Sequence, residues 1–383
     1  MSDVLRPSRA ARSIEPTMIR SLRAGMREST IDFGLGQTDL EISEAVREAI
    51  GGGDGREPYT PNAGSREARE AIAAHADADA DEVMLTCGVQ EGLAVAILGL
   101  CNPGDEVLVP NPGFPAYDNL VRAAGATPVR YPLAAPTPDS PGWGLDVEAV
   151  VERIGDATRL AVLNNPSNPT GSVFDADRLE TLLTALEDAG VGWISDEIYE
   201  DYVWEGPFVS TRSINRQAGL VLSGLSKTHH MMGWRLGWMV GPAAIIEALT
   251  PFHQHLVTCA PSPAQRAAIA AVAEHDEAVV ATREVFADRR RRVLEAFESI
   301  ELGSEPSVDG AFYLFVDVRP WLSQFDTTLQ LARALLHEED VMVVPGEGFG
   351  PAGLGHLRVA FTIGGDALEE GLRRMVDFLQ RHR

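Results

Sequence analysis

Between about residue 80 and residue 240 the sequence alternates short apolar runs with amphipathic stretches, and this alternation constrains the fold more than any other feature. Strands are expected at Glu82–Leu85, Glu106–Val109, Thr127–Tyr131, Arg159–Leu163, Val191–Ser195, Leu220–Ser223 and Leu236–Val240. Helices are expected between them near Val89–Leu100, Tyr117–Ala124, Asp146–Ile154 and Asp175–Ala189, the last with Leu179, Leu182, Leu183 and Leu186 on one face. Strands that are apolar throughout must be covered on both faces, and helical crossovers leave their neighbours parallel. The expectation is an α/β fold whose large unit holds a mostly parallel sheet of seven strands covered by helices. Ligands of such sheets bind at the carboxyl ends of the strands.

From Asp276 to about Ile300 a long helical pattern follows, with Arg289–Arg292 expected on its solvated face. Strands at Ala311–Val318, Val341–Val344 and His356–Phe361, and helices near Thr328–Glu338 and Ala367–Arg381, then describe a smaller α+β unit. The chain is therefore divided into a large unit, residues 46–280, and a small one made of residues 1–45 and 281–383.

Composition removes several classes of function. A formal net charge of −24 opposes nucleic acid and anionic membranes as partners. No apolar run approaches the roughly 18–20 residues that span a bilayer. The polar, arginine-rich start of the sequence is no secretory signal. Cys87, Cys101 and Cys259 are widely spaced and odd in number, which fits a reducing cytoplasm rather than a disulfide framework. His229-His230 and the pair His253 and His255 have no carboxylate or cysteine at ligand spacing, so no metal is expected. The acidity fits a salt-adapted surface; a GC-rich genome alone would also favour arginine over lysine.

Within this arginine-rich chain Lys227 is the sole lysine. A lysine can lose its proton near neutral pH and attack a carbonyl to form a Schiff base, which an arginine cannot do. The alternative is an ordinary lysine left over by composition, and its neighbours decide. "TCGVQEG" (Thr86–Gly92) is a strand, a glycine turn and a helix start, which suits a phosphate or is a plain βα turn. "NNPSNPTG" (Asn164–Gly171) is a rigid loop that can hold an asparagine, or simply a turn. "SDEIY" (Ser195–Tyr199) puts Asp196 just past a strand, to bind a protonated ring nitrogen or to cap a helix. "GWRLGW" (Gly233–Trp238) puts Arg235 near Lys227, for phosphate or a salt bridge. "HLRVAFT" (His356–Thr362) buries Arg358 in an apolar strand, where it must find a carboxylate of protein or ligand.

Taken together, "SGLSKTHHMMGWRLGW" with "NNPSNPTG", "SDEIY" and "HLRVAFT" resembles the class I/II aminotransferases, pyridoxal-phosphate enzymes of fold type I, in order and spacing from about Gly36 to Phe361. The resemblance implies roles. Lys227 would carry the pyridoxal phosphate, and Asp196 would keep its ring nitrogen protonated. Tyr199 and Asn168 would bond the ring's phenolic oxygen, and Phe114 of "PNPGFPAY" would stack on the ring. Gly88, Val89 and Gln90 would form the phosphate turn, with Arg235 and Ser226 beside it. Tyr59 of "PYTPNAGS" would reach the phosphate of the neighbouring subunit, which makes the enzyme a homodimer, with Thr258 a further candidate near the interface. Arg358 would clamp the substrate α-carboxylate, and Gly36 would lie beside the substrate. The implied reaction is transamination between an L-amino acid and a 2-oxo acid by a ping-pong mechanism.

The sequence departs from the family at two places. Gly224 stands where a hydroxyl residue usually meets the phosphate, and Gln90 stands where some aspartate-specific relatives carry a lysine. The second departure favours neutral or aromatic donors, although Arg12, Arg20 and Arg23 of the N-terminal arm could fold over the site. Three other readings stay open: a carbon–sulfur β-lyase on the same fold, a pyridoxal-phosphate-sensing regulator, and an α/β protein binding another phosphate ligand.

Overall fold

The computed structural model describes residues 5–14, 16–53 and 55–383. In chain order its strands are β1 (Ile31–Asp32), β2 (Val83–Thr86), β3 (Glu106–Asn111), β4 (Thr127–Pro132), β5 (Thr158–Asn164), β6 (Gly192–Asp196), β7 (Gly219–Gly224), β8 (Gly237–Val240), β9 (Tyr313–Asp317), β10 (Val341–Met342), β11 (Val344–Pro345) and β12 (His356–Ala360). Seven of them form one sheet in the order β2-β8-β7-β6-β5-β3-β4. Of these only β8 runs against the others, being antiparallel to both β2 and β7.

Alternate residues of these strands face opposite ways, and both faces are dry. Val107, Val109, Val162 and Ile194 pack with Leu93, Val95, Ala96 and Ile97 of the helix Val89–Leu100. Leu108, Ala161, Leu163 and Trp193 pack with Leu179, Leu182, Leu183 and Leu186 of the helix Ala176–Asp188. Each such buried leucine contributes about 1.5–3 kcal/mol. Asp175 caps that second helix by accepting from the Arg178 N–H.

β11, β12 and β9 form a separate antiparallel sheet. The apolar run Val341–Val344, expected as one strand, is two. Val341–Met342 pairs in parallel with Ile31–Asp32, while Val344–Pro345 pairs with β12. Both halves are buried, so a continuous apolar run gave no sign of the change of partner. Arg289 also corrects its expectation. It is 6 % exposed, not solvated, and it donates to the Thr362 carbonyl and to Asp39. The helices Ala243–Val257 and Ser262–Ala273 went unrecognised. The first contains Pro251 and the second is largely alanine, so neither shows a clear helical stripe.

The sheet topology sets the site. β5, β6 and β7 end together, at Asn164, Asp196 and Gly224. Because β8 runs backwards, its first residue, Gly237, lies opposite Gly224 and Thr86 at that same edge. The close approach explains Gly224, since a Cβ there would stand 2.8 Å from the Gly237 Cα and 3.0 Å from the Leu236 carbonyl. Gly224→Ala is therefore expected to cost about 1–3 kcal/mol, read as a lower urea midpoint with an unchanged slope.

Candidate active site

A cavity of about 270 Å³ opens at the carboxyl edge of the sheet, and Lys227 lies in it. Gly36, Val89, Gln90, Phe114, Asn168, Asp196, Tyr199, Ser226, Arg235 and Arg358 line the same space. These residues lie up to 322 positions apart in sequence, and the ends of β2, β3, β5, β6 and β7, the start of β8, β12 and the segment after β1 bring them together.

β7 carries the chain to Lys227, whose Nζ donates to the Gly36 carbonyl at 2.6 Å. Burial pushes the lysine's pKa down from 10.5 to about 8. Arg358 and Arg235 push it the same way, while Asp196 opposes them. Of the two arginines, Arg358 has the larger effect, not the Arg235 nearer in sequence.

β6 ends in Asp196. No helix begins there, so the capping alternative falls away. Tyr117 donates to its Oδ2 at 2.8 Å. Burial raises the Asp196 pKa to about 6, against the pull of Tyr117, the Ile198 N–H and Lys227. A buried carboxylate held in this way favours a cationic partner.

The loop after β5 is pinned by its own asparagines. Asn164 Oδ1 accepts from the Asn168 N–H, and Asn165 Oδ1 accepts from the Phe174 N–H. Asn168 is thereby turned to accept from Arg358 Nη1 at 2.9 Å. Arg358 Nη2 donates to the Gly34 carbonyl, and its guanidinium sits 4.5 Å from the Tyr313 ring centre and 4.8 Å from that of Phe349. Its Nε is buried with no partner. A buried guanidinium with a spare N–H beside an open cavity suits a carboxylate ligand.

Gly88 adopts φ +78° and starts the helix Val89–Leu100, so the first N–H groups of that helix have no intrahelical acceptor. A Cβ on Gly88 would stand 2.5 Å from Arg235 Nη2. Arg235 itself is oriented by the carbonyls of Met232 and Cys87. An N-terminal turn with a guanidinium against it fits a phosphate, so the charged groups of the cavity match the three charged parts of a pyridoxal phosphate–amino acid pair.

Two expected residues lie elsewhere. Tyr59 is 85 % exposed and is not part of this cavity. Thr258, at φ +69°, accepts from Asn62 Nδ2 through its carbonyl. Of the arm arginines, Arg23 is paired with Asp32, and the arm presents Ile19 to the cavity. Neither His229 nor His230 lines it.

Sequence reasoning missed Tyr117 and Tyr313. The Tyr313 hydroxyl meets that of Tyr199 at 2.8 Å. A Cβ on Gly36 would stand 2.3 Å from it, which is why a glycine is needed there. Tyr313 lies in a fully buried apolar strand and has the pattern of a core residue. Tyr117 stands in the quoted "PNPGFPAY", one turn after Phe114, and that spacing was the available signal.

Comparison with known proteins agrees with this geometry. Residues 28–375 match the family described as aminotransferase class I and II. A probable N-acetyl-LL-diaminopimelate aminotransferase of Bacillus subtilis is 32% identical over 398 residues, covering 100% of this chain and 98% of its own. An aspartate aminotransferase of Sulfurisphaera tokodaii is 33% identical over 360 residues, covering 91% of this chain and 90% of its own. The solved alanine aminotransferase of Pyrococcus furiosus superposes with a TM-score of 0.91 at 29% identity, covering 98% of this chain and all of that one. The chain belongs to the class I and II aminotransferases, with their α/β fold and pyridoxal phosphate as cofactor.

Because Lys227 is the single lysine, its titration can be read directly. Acetic anhydride modification of the cofactor-free protein, followed by peptide mass, is expected to label Lys227 with a midpoint near pH 8, not near 10.5. The neutral amine reacts, so labelling rises with pH through that midpoint.

Proposed function

We propose that this aminotransferase moves the amino group of a neutral or aromatic L-amino acid to a 2-oxo acid by a ping-pong mechanism, with Lys227 as the covalent anchor of the cofactor. One observation carries the reading. Lys227, Asp196 and Arg358 meet in one cavity, and Arg358 keeps a buried N–H without a partner.

The cofactor, when bound, supplies an electron sink for the carbanion at the substrate Cα. The protein's residues do the rest. Asp196, held by Tyr117, balances a protonated ring nitrogen. Tyr199, backed by Tyr313, and Asn168 donate at the phenolic oxygen. Phe114 covers the ring. Val89, Gln90, Ser226 and Arg235 hold the phosphate, with Gly88 leaving room for the arginine. Arg358, which lines the cavity, would grip the α-carboxylate and so fix the Cα–H near Lys227. Lys227 Nζ takes that proton as base and returns one as acid, tasks suited to an amine with a pKa of about 8.

Donor preference follows from charge. Lys227, Arg235 and Arg358 are the cations lining the cavity among the described residues, and each has one of these tasks. The rest of the lining includes Ile19, Leu35 and Met232, with Gln90 at the phosphate turn. A distal carboxylate finds no further counter-charge among the described residues that line the cavity, so aspartate would be a poorer donor than a neutral or aromatic amino acid.

Tyr59 would serve the site of a second subunit. Its exposure supports a homodimer, as do Phe252, Leu256 and Val257, exposed on the helix whose C-cap, Thr258, accepts from Asn62. The division into residues 46–280 and the small unit of 1–45 with 281–383 belongs to the same reading, supported by the pairing of Ile31–Asp32 with Val341–Met342. No helix among the described residues is long and apolar enough to cross a membrane. The three cysteines are unpaired, which supports a cytoplasmic location.

The test is the visible spectrum of the holoenzyme mixed with a panel of amino acids. Wild type is expected to show a cofactor band that neutral or aromatic donors bleach faster than aspartate, without ammonia release. Lys227→Ala should not bleach. A wild type that cannot take up pyridoxal phosphate, or that bleaches with no amino acid, sinks the proposal. Arg358→Ala should lower kcat/KM by roughly 10- to 150-fold, since a charge-assisted bond contributes about 1.5–3 kcal/mol, while still binding cofactor.

A further inference from the structure

The loop after Lys227 is held from behind by groups that do not line the cofactor cavity. The Lys227 carbonyl accepts from the Tyr202 hydroxyl at 3.0 Å. The Thr228 hydroxyl donates to Asp201 Oδ2 at 2.5 Å, and the Thr228 carbonyl accepts from Thr282 at 3.2 Å. His275 Nε2 lies 3.2 Å from Asp201 Oδ1, and its Nδ1 lies 3.2 Å from His229 Nε2. Asp201 and His275 line a second cavity of about 320 Å³, away from the first.

These contacts come from separate elements. Asp201 and Tyr202 follow β6, and His275 and Thr282 belong to the helix His275–Phe297. The helix Arg66–His75 closes the cluster, with the His75 ring 4.3 Å from that of His275. An ordinary loop three residues past a strand would not need a half-buried ion pair behind it.

We propose that Thr228 and the Asp201–His275 pair are positioning residues for Lys227, fixing the loop's backbone so that Nζ changes partners while its Cα stays in place. The proposal rests on Lys227 being the cofactor anchor. That amine must leave the cofactor, meet the substrate Cα and return, and an error of about 1 Å in such placement costs on the order of 100-fold in rate. A hydroxyl bonded to an ionised carboxylate is a strong, directional tether. His275 keeps the carboxylate ionised, and the carboxylate raises the His275 pKa. Asp201 stands below the ordinary carboxylate value despite burial, because His275 and Thr228 hold it. The other titratable and charged groups around the pair are His75, His229, Asp276 and the half-buried Glu200, which accepts from Ser223, with Asp77, Glu197, Arg212 and Arg216 lining the same cavity. Folding stability from the raised histidine is complete below about pH 6.5 and is lost as pH rises through the raised value.

Thr228→Val, Thr228→Ser and His275→Gln test this, with two readouts on each. One is the single-turnover bleaching of the holoenzyme by a good donor. The other is the acetic anhydride titration of Lys227 in the cofactor-free protein. Thr228→Val is expected to bind cofactor fully, to bleach roughly 10- to 100-fold more slowly, and to acetylate with a midpoint moved up towards 10.5. Thr228→Ser, which keeps the hydroxyl, should stay within about threefold of wild type. His275→Gln should fall between the two. Wild-type bleaching and an unmoved midpoint in Thr228→Val overturn the proposal, even if the protein melts at a lower temperature. Should Thr228→Val not fold, the same two wild-type values in His275→Gln overturn it. A wild-type protein without a cofactor band tells against the function proposed above, and the acetylation midpoints still decide whether the brace acts on Lys227.

Discussion

A primary amine serves as nucleophile and base near neutral pH only if it is taken out of water and is not given a carboxylate of its own. Lys227 meets that condition. Burial is the largest influence on its pKa, Arg358 adds to it, and among the described residues its Nζ donates to a carbonyl, that of Gly36, and to no carboxylate. A glutamate beside it would have formed a stable ion pair and held the proton in place. The surrounding charges keep to the same rule. Asp196 is occupied by Tyr117 and opposes the shift without pairing with the amine, while Arg358, held by Asn168 and the Gly34 carbonyl, adds to it.

The topology makes this arrangement possible. Parallel strands deliver Asn164, Asp196 and the lysine loop to one edge, and reversal of β8 brings Arg235 there as well. The glycines at 224 and 237 let β7 and β8 close up, and Gly237 also makes room for the phosphate turn, since a Cβ on it would meet the Val89 nitrogen at 2.8 Å. The small sheet supplies Tyr313 and Arg358 from adjacent strands, β9 and β12. Its fixed relation to β1 aligns the Gly34–Gly36 segment with both.

Most of the sheet and most of the cavity lining were legible in the sequence, for a physical reason. Residues that bind ligands at strand ends interrupt apolar runs, and an interruption by Asp, Asn, Lys or Arg stands out. Groups that do similar work while looking apolar do not. Tyr313 and Tyr117 each present a ring to the core and a hydroxyl to the site, so their pattern is that of packing residues. Arg289 shows the opposite failure. Within a run of four arginines it is the buried one, turned inward to the Thr362 carbonyl and Asp39, and helical periodicity without the partner surface cannot single it out. The split of Val341–Val344 between two ladders was hidden because both halves are equally apolar.

The chain carries a single side-chain ammonium, and the fold places it inside. Aldehydes condense with amines wherever they meet them, and most proteins coat themselves with lysines that compete for any reactive carbonyl. Here the exterior cations are guanidinium groups, which do not form stable imines under these conditions. An aldehyde cofactor that approaches this protein therefore finds its one productive attachment point among the side chains already selected, without having to escape from wrong ones.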